Sequence, residues 1–195
     1  GSYVWSTALY RVSGNTRDTI GSAVDLYGAG SLLLNSTLGG NVGPAGSFAL
    51  VIHNTGTEIE GCTLTNQGGP ALSVAAGASA TMSNTLIAGW CTGTGVLTTL
   101  GGNLESPAGT CQLGPNDLES VPDPGISALG FFGGPTPVYR PLSGSPAIDA
   151  PIAALNCPAL DQRGVSRPRD GDGTAGAISD IGAVVAAEPL ARLRD

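Results

Sequence analysis

The chain of 195 residues has no lysine and a single histidine, and charged residues make up only 12% of it. All eight basic residues are arginine, and the formal net charge is −7. Nucleic acids and anionic membrane surfaces are bound by clustered lysine and arginine, so this composition excludes both as partners. No apolar run approaches the roughly 18 residues of a membrane-spanning helix, and we therefore expect no membrane insertion.

Cysteine is also scarce, and its spacing is wrong for a structural zinc site. No C-x-x-C pair occurs, and one histidine is too few to complete a Cys/His ligand set. Disulfide bonding is therefore the better use for these thiols. The four cysteines are Cys62, Cys91, Cys111 and Cys157.

Glycine, in contrast, is abundant, with 31 residues, and apolar residues reach 41% in short runs. This composition excludes disorder, which needs low hydrophobicity and high charge. A Thr-Leu pair recurs at Thr37-Leu38, Thr63-Leu64 and Thr85-Leu86, with separations of 26 and 22 residues. Short β-like runs and Gly, Asn or Ser turns lie between the pairs, and such a period is typical of the coils of a solenoid.

The pattern predicts an all-β fold, a parallel β-helix of about four rungs over residues 1–110. An irregular capping region of the same domain would follow over residues 111–185, with residues 186–195 as a tail or linker. Phe131, Phe132 and Tyr139 are expected to cover the exposed strand edge at the end of the β-helix. A β-sandwich remains the alternative fold, because its strands also recur at short intervals.

Four motifs in the last third of the chain are the most distinctive part of the sequence. They are GGPTP at 133–137, GSPAIDA at 144–150, DQRG at 161–164 and DIGA at 180–183. With the stretch from Cys91 to Cys111, they resemble the end of bacterial surface proteins that carry a choice-of-anchor Q domain. The resemblance covers about half of the chain. It implies a right-handed parallel β-helix of the pectate-lyase type, as in adhesin-like and polymorphic outer-membrane proteins, and a secreted or cell-surface location.

The resemblance also implies a disulfide between Cys91 and Cys111. This bond would close a loop of about twenty residues and stabilise the fold by ~3 kcal/mol. Relatives carry a further cysteine just before the DIGA motif, where this chain has Ser179, so the second disulfide of the family cannot form in its usual place. Cys157 is expected to be free, or paired with Cys62 if the fold brings the two together.

The last third also contains four charged residues set among small or apolar neighbours, Asp149, Asp161, Arg163 and Asp180. Proline and glycine prevent a regular helix or a central strand in this region, so its order must come from side chains. Arg163 bridging Asp149 or Asp180 would form a structural ion-pair network. The functional alternative is that the carboxylates hold a metal ion or act as an acid/base pair.

A candidate calcium loop lies at residues 170–174, with the sequence DGDGT. Oxygen ligands at alternate positions of a glycine-rich loop suit a hard cation, and Asp180 would complete a site with Asp170 and Asp172. The bidentate glutamate of such loops is missing. A plain solvent-exposed turn therefore stays open as the alternative.

Two further groups are candidates for binding or chemistry. Glu58 and Glu60 lie on one face of a predicted strand, as either a small acidic ligand face or a solvated edge. No second acid stacks on them at the repeat spacing, although glycoside hydrolysis needs a facing pair. His53 is expected to be a hydrogen-bonded wall residue. Trp5 and Trp90 would form part of a sugar-stacking platform if they are exposed.

These features favour a non-enzymatic, secreted or cell-surface structural or adhesive module whose partner is carbohydrate or another cell-surface protein. The alternative is a polysaccharide lyase or glycoside hydrolase that acts on an extracellular glycan. A lyase needs a base, commonly Arg or Lys, and carboxylates that hold calcium against the substrate's acid group. No arginine lies between Arg17 and Arg140, so the sequence supports an enzyme weakly. Calcium is the one candidate cofactor.

Overall fold

The computed structural model describes residues 11–12, 22–41, 45–150, 157–171, 173 and 176–187. These residues form β-strands, turns and irregular chain, with no helix among them. The strands are β1 (Arg11–Val12), β2 (Ser22–Leu26), β3 (Leu32–Leu34), β4 (Thr37–Leu38), β5 (Phe48–Ile52), β6 (Thr57–Glu60), β7 (Thr63–Val74), β8 (Ser79–Ser83), β9 (Leu86–Gly93), β10 (Val96–Thr99) and β11 (Leu104–Pro107).

Every ladder between these strands is parallel. The first sheet has seven strands, in the order β1-β4-β7-β5-β2, with β9 joined to β7 and β11 joined to β9. The second sheet has four strands, in the order β10-β8-β6-β3. Because a tight hairpin cannot join parallel neighbours, the chain makes a long return before each strand meets its partner. The predicted all-β fold with parallel strands is confirmed.

The distance along the chain between paired residues shortens toward the C-terminus. Thr37 pairs with Thr63, Thr63 with Leu86, and Leu86 with Leu104, so the separation falls from 26 to 23 to 18 residues. The predicted equivalence of Thr63 with Thr85 is therefore wrong by one position. Thr85 instead lies beside Cys62, whose backbone N–H donates to the Thr85 hydroxyl at 3.3 Å.

Aliphatic side chains fill the interior in rows that cross the ladders. Leu38, Leu64 and Ile87 form one such row and are fully buried. Strand β6 shows how alternation selects the interior side, since Ile59 is buried while Glu58 next to it is exposed. Each aliphatic side chain buried in this way contributes about 1.5–3 kcal/mol. Other fully buried large side chains are Leu50, Ile52, Leu72, Met82, Leu86 and Leu104.

A chain of polar groups runs through the turns that link the second sheet to the first. The hydroxyl of Thr85 accepts the N–H of Cys62, and the side-chain oxygen of Asn103 accepts the N–H of Thr85 at 3.0 Å. Asp117 in turn accepts both the backbone and the side-chain N–H of Asn103, each at 2.8 Å. These side chains satisfy buried amides that the strand ladders leave over at the turns.

The C-terminal segment, residues 121–187, packs against the side of the first sheet. The Ala183 N–H donates to the Thr63 hydroxyl at 2.9 Å, and the Thr37 hydroxyl donates to the side-chain oxygen of Gln162 at 2.6 Å. The side-chain amide of Asn35, in the turn before Thr37, donates to the Leu160 carbonyl at 2.8 Å. The segment therefore reaches strands along the sheet and is not confined to its last strand.

The aromatic residues expected to cover the end of the strands do not do so. Phe131 is 70% exposed, and Phe132 packs against Val138 with the Arg140 guanidinium 4.7 Å from its ring centroid. Tyr139 lies against Gly39, where a Cβ would be 2.6 Å from the Tyr139 ring. They are placed this way because the C-terminal segment turns back along the first sheet.

Candidate functional site

Asp161 is the most completely bonded carboxylate of the C-terminal segment, and its side chain is fully buried. One oxygen accepts the N–H groups of Arg163 and Val165 at 2.8 and 3.0 Å. The other accepts the Val185 N–H at 3.1 Å and two guanidinium N–H groups of Arg163 at 2.9 and 2.7 Å. Arg163 also donates to the carbonyls of Phe132 and Val185. This ion pair therefore ties three parts of the segment together.

The expected bridge from Arg163 to Asp149 or Asp180 is replaced by this bond to Asp161. The two residues of the pair lie in one turn, so the guanidinium reaches the nearer carboxylate first. Asp180 instead accepts the N–H groups of Asp149 and Ala186 at 2.9 and 2.6 Å. Burial raises the pKa of Asp180, and these two amide bonds oppose that shift.

Asp149 bonds to the main chain in the same way. Its two oxygens accept the N–H groups of Gly171 and Ile178 at 2.7 and 3.1 Å, and its own φ of 44° is in the left-handed region. Arg167, which sequence reasoning did not single out, is buried and donates to the carbonyls of Asp180 and Gly182. These residues position backbone, and the described contacts of the carboxylates are with donors of the protein itself.

The candidate calcium loop has one ligand in the described structure engaged in a local turn. Asp170 accepts the N–H of Gly173 at 2.6 Å, whereas Asp172 lies outside the described residues. The carboxylate oxygens of Asp180 bond to backbone amides. Among the residues that the structure describes, no group of three His, Cys, Asp or Glu side chains could hold a metal ion.

Glu58 and Glu60 project from the same side of β6, as the alternation of the strand predicts. Glu58 is exposed and Glu60 is half-buried. Neighbouring strands place Leu32 and Thr81 beside Glu58, and Ser83 beside Glu60, so no second acid faces either glutamate in these ladders. Burial raises the pKa of Glu60, with Glu58 adding to the shift and Arg167 opposing it.

A cluster of three side chains on β2 and β5 was missed at the level of sequence. The Nε2 atom of His53 lies 2.9 Å from Oδ1 of Asp25, and the two side chains are 30% and 34% exposed. The ring of Tyr27 stacks on the imidazole with centroids 4.3 Å apart and an interplanar angle of 1°. Tyr27 is 72% exposed. His53 is thus the wall residue expected, but with an ion-pair partner and an exposed aromatic neighbour.

The spacing of this cluster contained the signal that would have found it. Tyr27 and His53 are 26 residues apart, which equals the pairing separation of β2 and β5. The Thr-Leu period thus places the two rings side by side. Of the aromatics suggested as a platform, Trp90 is 39% exposed and Trp5 lies outside the described residues.

The Cys91–Cys111 disulfide is present, with Cα atoms 4.8 Å apart. It lies where the apolar interior ends, next to the fully buried Glu105. That carboxylate accepts the N–H groups of Thr110 and Cys111 and the Thr110 hydroxyl at 2.7–3.1 Å. A cavity of about 360 Å³ adjoins the disulfide and is lined in part by Leu72, Val74 and Leu97. The loop that carries Cys111 is thus fixed by one covalent bond and one carboxylate.

Cys62 and Cys157 are both free thiols. Cys62 is fully buried in the interior, where burial raises the pKa of its thiol to about 12, so it is unreactive at neutral pH. Cys157 contacts the hydroxyl of Ser179, the residue that stands where the resembling family has a cysteine.

Comparison with protein-family models, with curated proteins and with solved structures finds no match for this chain. The described residues include no helix of the length and apolar character needed to cross a membrane. The function of the candidate site must therefore be argued from its own chemistry.

Proposed function

We propose that this chain is a segment of a right-handed parallel β-helix that serves as a non-enzymatic, secreted or cell-surface structural or adhesive module. Its likeness to choice-of-anchor Q proteins in the last third of the sequence belongs to the same proposal. The parallel ladders and the shortening repeat support the β-helix. The disulfide supports an oxidising, extracellular location, because such bonds persist there and are rare in the cytosol.

The observation that carries the non-enzymatic role is the bonding of the buried carboxylates. Glu105, Asp117, Asp161 and Asp180 are all buried, and each accepts main-chain N–H groups of the protein itself. Acids and bases that act on a substrate must present a free oxygen to it. These carboxylates instead satisfy the amides of irregular chain, which is a structural role.

The alternative, a polysaccharide lyase or glycoside hydrolase, is favoured by one observation. The raised pKa of Glu60 beside the exposed Glu58 is the kind of perturbed acid pair found at active sites. Their alternation on one strand places them in one row and not across a cleft, and hydrolysis needs two facing carboxyl groups. The pair therefore serves better as a polar ligand face.

Incubation of the protein with acidic and neutral polysaccharides, with and without calcium, tests the two functions against each other. Ultraviolet absorbance follows the unsaturated products of a lyase, and reducing ends follow hydrolysis. We expect no turnover. Turnover that Glu58→Gln or Glu60→Gln abolishes would overturn the structural role and place an active site on β6.

A further inference from the structure

We propose that Tyr27, His53 and Asp25 form a binding site for a neutral or amino-sugar pyranose of an extracellular glycan. The proposal deepens the adhesive function above and rests on it. It adds a site, a ligand class and a charge preference. The platform is also distinct from the acidic face of Glu58 and Glu60, which lies on the other sheet.

The first argument is the exposure of an aromatic ring whose position is fixed. Tyr27 is 72% exposed although one face of its ring rests on His53, so the opposite face is open to solvent. Aromatic rings of this size are normally buried, because their apolar surface is costly to hydrate. A pyranose has one face of C–H bonds that fits flat on such a ring, and its hydroxyls remain at the edge for hydrogen bonds.

The second argument is that the platform is rigid before a ligand arrives. The His53 N–H donates to the Leu26 carbonyl at 2.8 Å, which fixes the backbone of His53 next to β2. The bond from His53 to Asp25 then fixes the imidazole, and the imidazole supports the Tyr27 ring. A ligand that binds a preorganised surface has less side-chain entropy to remove, so a small contact area gives more affinity.

The third argument concerns charge. Asp25 presents a one-third exposed carboxylate beside the ring, and a carboxylate accepts hydrogen bonds from sugar hydroxyls or an ammonium group. The chain as a whole carries a net charge of −7, and its field opposes the approach of uronic acids and sulfated sugars. The site therefore prefers neutral or amino sugars to acidic ones.

The single histidine makes this site directly observable. Because His53 is the only imidazole in the chain, its ring protons give one assignable set of NMR signals that report on the platform alone. Titration of the full chain would use cellotriose, a tri-N-acetylchitotriose, a chitosan trimer and a trigalacturonate. We expect the first three to shift the His53 ring signals and to bind more tightly than trigalacturonate.

Three variants separate the platform from general surface stickiness. Tyr27→Ala should weaken binding at least tenfold, whereas Tyr27→Phe should keep it within about threefold because the ring face remains. Phe131→Ala is the matched control, since Phe131 is an aromatic residue of nearly equal exposure, at 70%, on the C-terminal segment. This control should bind as the parent does. Circular dichroism and thermal unfolding check that each variant is folded.

The outcomes separate this site from the module function. Binding that survives Tyr27→Ala without moving the His53 signals would overturn the site and leave an adhesive module that binds elsewhere. Binding of trigalacturonate in preference to the other sugars would overturn the charge argument. Failure of all four sugars to bind would overturn the sugar site, whereas the structural role is decided separately by the turnover assay.

Discussion

The strand region, residues 22–107, and the C-terminal segment satisfy their backbone hydrogen bonds in different ways. In the strand region, N–H and C=O groups pair in parallel ladders over an aliphatic interior. In the C-terminal segment, strand pairing is reduced to isolated bridges, and buried aspartates bind the main-chain amides instead. A neighbouring strand and a carboxylate therefore answer the same requirement, because a buried N–H without an acceptor is costly.

The two solutions differ in how much depends on one residue. A ladder spreads its bonds over many residues, and each side chain beneath it adds a separate increment of burial. Asp161 concentrates five donors and an ion pair on one carboxylate. Loss of one partner of a buried ion pair leaves an uncompensated charge, so the C-terminal segment is the more fragile of the two.

The largest effect is expected from Asp161→Asn. Asparagine keeps the size of the side chain but removes the charge that pairs with Arg163 and turns an NH₂ group toward donors. Breaking a buried pair in this way costs about 3–5 kcal/mol. Urea denaturation measures the loss, and hydrogen exchange locates it. The amides of residues 157–187 should lose protection while those of β5 to β9 keep theirs.

Two control variants sharpen this contrast. Leu64→Ala empties a fully buried position in the strand region and should cost a similar 2–5 kcal/mol, but with loss of protection throughout the chain. Asp123→Asn changes an exposed aspartate that accepts one amide, from Gly125, and should stay within about 0.5 kcal/mol. Equal loss of protection in both regions after Asp161→Asn would show that they unfold as one unit.

An intermediate effect, this time stabilising, is expected from Ser179→Cys. The Sγ atom of Cys157 contacts the Ser179 hydroxyl, so a thiol placed there can form a disulfide that closes a separation of 22 residues. A loop of that size stabilises by about 3 kcal/mol when the bond is unstrained. Thiol titration of the unfolded, oxidised protein should find Cys62 alone.

The same substitution in a Cys157→Ser background gives the control. That variant should show no change in stability on reduction beyond the effect of the Cys91–Cys111 bond. If oxidised Ser179→Cys retains three titratable thiols, the two positions are too far apart in solution for the contact described above.

The smallest effect is expected in the strand region, from Glu60→Gln. The folded state holds the Glu60 proton more tightly than the unfolded chain does, because its pKa is raised by burial and by Glu58. Its ionised form therefore destabilises the fold above the folded-state pKa, and this penalty disappears as pH falls toward 4.5. Glu60→Gln should raise the melting temperature slightly at pH 7, within the roughly 0.5 kcal/mol of surface substitutions.

The gain from Glu60→Gln should shrink as the pH is lowered, and thermal unfolding between pH 7 and pH 4 measures this trend. Glu58→Gln is the matched control, since it removes only the repulsion and leaves Glu60 partly buried. A gain that grows on acidification would contradict the sign of the pKa shift.

Much of the strand region was predictable because its repeat is written in the sequence. The 26-residue spacing of Thr37 and Thr63 predicted their pairing, and the same spacing holds for Tyr27 and His53. The third repeat failed by one position, since the turn length changes where Thr85 replaces Cys62. A side-chain pattern cannot show such a change when serine, cysteine and threonine all fit the same turn.

The candidate sites were less predictable, because their partners are distant in sequence. Asp161, Arg163 and Asp180 were recognised as structural, yet their partners were not, since Val185 and Ala186 contribute only backbone N–H groups that have no sequence signature. Glu105 was unremarkable in the sequence for the same reason, as its acceptor role depends on the amides of a loop.

The sequence by itself determined an all-β chain with parallel strands, because the repeat of short apolar runs and glycine-rich turns leaves no sustained helical period. It also identified the four charged residues that organise the last third. Only the tertiary structure decided that this segment lies along the side of the first sheet, and that Tyr27, His53 and Asp25 meet. Those contacts depend on how far the chain travels in each turn, and that distance is set by packing and not by residue type.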